Sequence, residues 1–295
     1  MKTLKSIMII SLLISALSGC VKKEEPEPST LGCKAMGYTY ELESLTYSLV
    51  WADEFDGTEV DLDNWSYETG GSGWGNNELQ YYTNGLNSSV KDGFLDIEIR
   101  QESLNDRNYT SSRMVSRGKA DFKYGKIEVY VKMPKTKGTW AAVWMMPTTS
   151  SYGTWPNSGE IDILETVGYA PDMIYGTVHT TDYNHKKGTQ KGYSSTLENP
   201  EEYHLYTIEW LPDQIRYYVD GVFKFRFAPG IYLDCPNSKQ WPFDRSFYLI
   251  LNTAVGGDWG GAQGVDETGW PQHMSVDYIR VYQIDQLDAI LATKK

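Results

Sequence analysis

Gly159-Glu160-Ile161-Asp162-Ile163-Leu164-Glu165 sets three carboxylates among three large apolar side chains. The interleaving reads as a β-strand. In a regular strand residues 160, 162 and 164 share one face and residue 165 points the other way. Read so, Glu160 and Asp162 are merely solvated, and Glu165 lies on the opposite side. The neighbours argue against that arrangement, because Ile161, Ile163 and Leu164 all call for burial. One extra residue, a β-bulge, returns Glu165 to the acidic face. The three acids then line one cleft.

Outward from this stretch, short runs of alternating apolar and polar residues recur over 94–100, 125–133, 203–210, 215–219, 247–252 and 275–283. Turn signals separate them, among them Pro212-Asp213, Asp220-Gly221 and Lys91-Asp92-Gly93. No later segment carries a sustained 3.6-residue apolar stripe, although residues 286–295 allow a turn or two of helix as a C-terminal tail. With no repeat and no interior linker, residues 44–285 read as a single all-β sandwich. The glycine clusters Gly70-Gly71-Ser72-Gly73 and Gly256-Gly257-Asp258-Trp259-Gly260-Gly261 read as loops at a cleft rim, since no helix follows them to hold a phosphate.

Composition narrows the function. The 295 residues carry 27 Lys+Arg against 39 Asp+Glu, a net charge of −12. Nucleic acid is not an expected partner of so acidic a chain, because phosphate binding needs a clustered positive surface. Apolar residues at 40 % and charged residues at 22 % describe a globular chain. Ten tryptophans beside 22 tyrosines exceed what a core needs, and flat apolar rings suit the faces of sugars.

Residues 1–19 read as a signal peptide: Lys2 and Lys5 precede an apolar run over 7–17 that is too short to span a membrane comfortably. The run ends in Leu17-Ser18-Gly19-Cys20, similar to a bacterial lipobox, which makes Cys20 the lipidated N-terminus and a membrane anchor. Residues 20–43 then form a charged, Pro-containing tether. No Asp follows Cys20, so an outer-membrane lipoprotein of the cell envelope is expected, with an acidic tether resembling those of surface-exposed lipoproteins. Export permits a disulfide between Cys33 and Cys235.

What could the acidic trio do? Four strand steps span roughly 13 Å between backbones. Two glutamates leaning together bring their carboxyls to about 5–6 Å, the separation of a retaining glycosidase. One attacks the anomeric carbon, and the other protonates the leaving oxygen and then activates water. An aspartate between them crowds negative charge and raises the pKa of whichever group holds the proton. A metal site and a solvated acidic strand stay open as alternatives on chemistry alone, although the apolar interleaving leaves too few oxygen ligands for calcium.

The run 160–165 matches the E-x-D-x-x-E signature of glycoside hydrolase family 16, in the bulged form of its laminarinase-like members. Leu49-Val50-Trp51-Ala52-Asp53-Glu54-Phe55-Asp56-Gly57 resembles the family's opening strand, and Trp74-Gly75-Asn76-Asn77-Glu78-Leu79-Gln80-Tyr81-Tyr82-Thr83 is similar to its glucan-binding loop. Trp140-Ala141-Ala142-Val143-Trp144-Met145-Met146-Pro147, Trp155-Pro156, Gly176-Thr177-Val178-His179 and Val276-Asp277-Tyr278-Ile279-Arg280-Val281-Tyr282 fit as well, in the expected order. The chain departs from many members at Ser111-Ser112-Arg113, where they carry a glycine before the arginine.

The resemblance implies a β-jelly-roll sandwich of the concanavalin A-like lectin/glucanase type, and an endo-β-1,3-glucanase acting with retention on laminarin-like glucans. Glu160 is then the nucleophile, Asp162 the assisting acid and Glu165 the general acid/base. Trp144 floors the cleft, Trp140 and Trp155 wall it, and Asn76, Glu78, Arg113 and His179 are further substrate contacts. Catalysis needs no cofactor. A structural calcium is implied at Glu54, the backbone carbonyl of Gly93, and Asp277. A monomer is expected. A mixed-linkage β-1,3-1,4-glucanase is the nearest alternative, and a non-catalytic glucan-binding surface protein is a more distant one, since a binder has no need of the whole acidic trio.

Overall fold

The computed structural model describes residues 36–294. The expected signal peptide, Cys20 and Cys33 lie outside the described residues. Cys235 is disulfide-bonded.

Two eight-stranded antiparallel sheets dominate the architecture. The site sheet runs in the order Lys191–Thr196, Met173–His179, Glu160–Val167, Thr139–Pro147, Phe247–Val255, Arg113–Val115 and Ser66–Tyr67, with Asp121–Phe122 also paired to Phe247–Val255. The back sheet runs Val222–Phe227, Ile215–Val219, His204–Trp210, Gly125–Lys132, Gln272–Ile284, Phe94–Ile99 and Ser88–Lys91, with Tyr47–Asp53 also paired to Gln272–Ile284. Most neighbours in each sheet are distant in sequence, as in a jelly-roll sandwich. Each alternating run named from the sequence falls on one of these strands, with residues 100, 133 and 203 just past their ends. The 247–252 stretch continues to Val255, and the 275–283 stretch lengthens to Gln272–Ile284.

One apolar core holds the sheets together. Ile127, Val129 and Val131 point into it from the back sheet, and Ala141, Val143 and Met145 from the site sheet, every second residue in each case. Burying a side chain of that size contributes about 1.5–3 kcal/mol relative to leaving it in water. Phe247–Val255 is the exception to alternation, being buried along its whole length. Its other face meets a smaller apolar cluster of Val115, Tyr248 and Ile250, against which Trp144 and Met146 pack. Trp210 is fully buried and Trp51 packs against the core.

The packed body is longer than residues 44–285. Met36, Tyr38, Tyr40 and Leu42, in the stretch expected to be tether, pack against the core, and Tyr40 donates to Asp213. At the other end Leu287–Ala292 forms an α-helix whose Ile290 is buried, and Thr39 N–H donates to Thr293 Oγ1 at 2.9 Å. The alternation of 36, 38, 40 and 42 was a period-two signal, masked by the charged residues that precede it.

Candidate active site

The acidic strand starts from Gly159, whose φ of +88° belongs to glycine. A Cβ there would stand 2.8 Å from both Pro242 Cγ and Phe243 Cε1, so the turn into Glu160 admits no side chain. Three residues on, the strand bulges. Val143 pairs with Leu164 while the next residue, Trp144, pairs with Asp162, leaving Ile163 without an opposite number. The same irregularity appears on the other side, where Asp162 pairs with Thr177 and Glu165 with Tyr175. Ile161, Ile163 and Leu164 all reach the core.

Magnitudes explain the bulge. A regular strand would drive Glu165 into the core and Leu164 out of it. An uncompensated carboxylate in an apolar core costs several kcal/mol, and losing the burial of a leucine costs about 2 kcal/mol more. One unpaired residue in the ladder is cheaper.

Glu160, Asp162 and Glu165 are therefore gathered on one face. Trp155 Nε1–H donates to Glu160 Oε2 at 2.8 Å, and Trp140 Nε1–H donates to Glu165 Oε1 at 3.0 Å. His179, opposite Glu160 in the ladder, brings Nε2 to 3.2 Å from Asp162 Oδ2 and 3.6 Å from Glu160 Oε1. Burial lifts all three carboxyls above the usual carboxylate range. For Glu160 the charges of Asp162 and Glu165 add to that lift, and for Asp162 the charge of Glu165 does. The proximity of Glu160 works against that lift at Asp162. The indole donors act the other way and favour the ionised forms of Glu160 and Glu165. A proton donor and a nucleophile in one dry site are what such opposing influences provide.

The remaining contacts named from the sequence surround this trio. Trp144, opposite Asp162, donates from Nε1 to Asn252 Oδ1 at 2.7 Å, and Asn252 Nδ2 donates to the Tyr82 hydroxyl at 2.9 Å. Tyr82 in turn donates to Glu78, which also receives Gln80 Nε2 at 2.7 Å and Asn76 Nδ2 at 3.3 Å. Glu78 is buried, and desolvation raises its carboxyl. Arg113 sits in the regular strand Arg113–Val115 despite the missing glycine. Its guanidinium lies 4.9 Å from the Trp74 ring and 4.8 Å from the Trp144 ring, with Nε donating to Glu68 at 2.6 Å. The Gly256–Gly261 loop closes over the same region. Gly257, at φ +77°, comes so near Asn76 that a Cβ would lie 2.9 Å from its carbonyl oxygen.

Several residues of the site carry no motif of their own in the sequence. Trp259 wedges between Trp140, at 5.5 Å, and Tyr175, at 4.9 Å, so the glycine-rich rim loop also braces the wall of the site. His185 lies 5.0 Å from the Trp155 ring, with Lys186 Nζ at 4.9 Å from that ring. Asn252 did carry a signal. A lone amide in an otherwise apolar, fully buried strand must be hydrogen-bonded.

The residues of the implied calcium site lie on the back sheet, remote from the trio in the ladder. Asp277 is the extra residue of a bulge between Val276 and Tyr278, and Gly93 turns Ser88–Lys91 into Phe94–Ile99. Glu54 accepts from Arg280 Nε at 2.7 Å and Nη2 at 2.8 Å. Desolvation raises the Asp277 carboxyl, and the charges of Glu54 and Asp56 push it further.

Comparison with known proteins agrees with this geometry. Residues 68–280 match the model of glycosyl hydrolases family 16. A β-glucanase of Rhodothermus marinus is 47 % identical over 261 residues, covering 86 % of this chain and 91 % of that protein. The crystal structure of the laminarinase from Rhodothermus marinus superposes with a TM-score of 0.80 at 47 % identity, covering 82 % of this chain and 99 % of that one. The structure of SCLam, a non-specific endo-β-1,3(4)-glucanase, gives a TM-score of 0.75 at 43 % identity, covering 86 % and 97 %. With that match spanning the bulged acidic strand and both sheets, the chain belongs to glycosyl hydrolase family 16.

Proposed function

We propose that the protein is a retaining endo-β-1,3-glucanase that hydrolyses laminarin-like β-glucans. The observation that carries the reading is the bulge at Ile163, which sets Glu160 and Glu165 on either side of Asp162 with an indole N–H on each glutamate. Glu160 attacks the anomeric carbon while Glu165 gives its proton to the departing glycosidic oxygen. Water then loses a proton to Glu165 and displaces Glu160, so the two inversions restore the β configuration. Asp162, two residues from Glu160 on the same face, keeps negative charge beside the forming oxocarbenium-like centre. The reaction needs carboxylates and no cofactor.

The laminarinase relative favours 1,3 linkages, and the non-specific endo-β-1,3(4)-glucanase favours tolerance of mixed linkages as the second reading. Laminarin, lichenan, barley β-glucan and agarose, assayed side by side with NMR of the first-formed anomer, separate them. Fastest release from laminarin with the β anomer first is expected. An α anomer, or release from agarose alone, would overturn the proposal.

The enzyme would act as a monomer held to the cell envelope through a lipid on Cys20, as the lipobox-like Leu17-Ser18-Gly19-Cys20 suggests. Cys20→Ser should then move it from the membrane to the soluble fraction; unchanged fractionation removes the anchor. A calcium held by Glu54, the Gly93 carbonyl and Asp277 suits the surplus of acid around Asp277. Chelation should lower Tm and added calcium restore it, whereas an unmoved Tm excludes that ion.

A further inference from the structure

Three potential ligand atoms converge in the site in a way the hydrolytic reaction does not require. Among the described residues, Glu160, Asp162 and His179 present ligand atoms that all lie within 4.8 Å of one another. Ligands of a tetrahedral zinc ion, each about 2.0–2.1 Å from the metal, stand about 3.3 Å apart. His179 Nε2 is 3.2 Å from Asp162 Oδ2 and 3.6 Å from Glu160 Oε1, so the spacing already approaches that of a filled site.

A second observation points to a ligand. Asp162 is 2 % exposed, and its Oδ2 has no hydrogen-bond partner. The atom approaches Nε2 of His179 without the alignment of a hydrogen bond. A buried carboxylate oxygen left unpaired is costly, and a cation between it and the imidazole would satisfy it.

We propose that Glu160, Asp162 and His179 form an inhibitory binding site for a borderline-soft divalent cation of the zinc type, open to the cleft at its fourth position. The donor set of one imidazole nitrogen and two carboxylate oxygens suits Zn²⁺ and Co²⁺ better than Ca²⁺ or Mg²⁺, which prefer all-oxygen shells. Occupancy ties up the carboxylate that attacks the sugar and the acid that assists it. Turnover therefore stops without any change of fold. The site binds moderately rather than tightly, because His179 Nδ1 is buried with no partner and the ring lacks the outer hydrogen bond that strengthens metal-bound histidines. Inhibition rests on the catalytic reading of these acids; binding does not.

The test measures binding and turnover separately on the full chain. Zn²⁺ is titrated calorimetrically, Co²⁺ is followed by its visible absorption, and laminarin hydrolysis is assayed against Zn²⁺. One ion per chain is expected, competing with substrate. His179→Gln and Asp162→Asn should each weaken binding about tenfold or more, since loss of a ligand exceeds the 10–100-fold typical of losing an outer-shell partner. The double variant His204→Gln/His273→Gln removes the other histidine–aspartate pairs, His204–Asp220 at 2.8 Å and His273–Asp96 at 2.9 Å, and should leave binding unchanged. Absence of binding, binding retained in both site variants, or binding lost in the double variant overturns the proposal. Should His179→Gln fail to fold, Asp162→Asn alone decides. Zn²⁺ that binds through these residues yet leaves turnover intact upholds the metal site and overturns the catalytic assignment instead.

Discussion

On the back sheet, Glu128 faces Lys126 at 2.7 Å, Glu209 faces Arg216 at 3.4 Å, and Asp96 faces His273 at 2.9 Å. On the site sheet, Glu160, Asp162 and Glu165 stand together with indole N–H groups and His179 as neighbours, and among the described residues none forms an ion pair with a lysine or arginine. The same residue type thus serves opposite ends. Glu128 and Glu209 are neutralised where they stand. Site-sheet acids are crowded and dried, so that they hold a proton more readily than exposed carboxyls do. The price is stability, as is common where an active site departs from the best-paired arrangement.

Breaking the contrast at its centre should have the largest effect. Glu160→Gln removes the attacking oxygen and should lower turnover on laminarin on the order of 10⁴-fold, with the fold and glucan binding retained. Turnover near that of the unaltered enzyme would leave the site sheet with no nucleophile at this position.

Asp162→Asn tests the cost of crowding. It should lower kcat about 10²-fold and raise Tm at pH 7 by about 2–4 °C, the equivalent of roughly 1 kcal/mol in a chain of this size. The sign follows from the raised carboxyl of Asp162. A folded-state pKa above the unfolded value of about 4 destabilises the fold as pH rises through that interval and costs nothing below it. The gain from Asn should therefore shrink toward pH 4 and grow as pH rises. A Tm advantage independent of pH would show that packing, not charge, was relieved.

The smallest effect belongs to the back sheet. Glu128→Gln breaks the pair with Lys126 and weakens the contact with the Tyr282 hydroxyl. It should change stability by about 1 kcal/mol or less and leave kcat and KM where they were. A kinetic effect there would blur the division between the sheets.

Much of this division could be read from residue order. The alternating runs mark the strands, and the clash between Glu165 and its apolar neighbours calls for a bulge from sequence alone. The ends of the body were harder. The 36–42 stretch alternates, but Lys22, Lys23, Glu24 and Glu25 and the prolines before it made the whole segment look like tether. Its tyrosines become core residues only because the back sheet offers them apolar surface.

The local chemistry of 159–165 pointed, by itself, to a strand bulged so that its three acids share one face, because burying Ile163 and Leu164 together turns Glu165 back toward Glu160 and Asp162. What tertiary structure alone decided is who attends those acids. Trp140 reaches Glu165 across 25 residues of sequence and Asn252 reaches Trp144 across 108. Arg113 slides between the rings of Trp74 and Trp144, and Trp259 folds back onto Trp140. Such meetings depend on strand order and register, which arise from the packing of two whole sheets and leave no mark on any single stretch of chain.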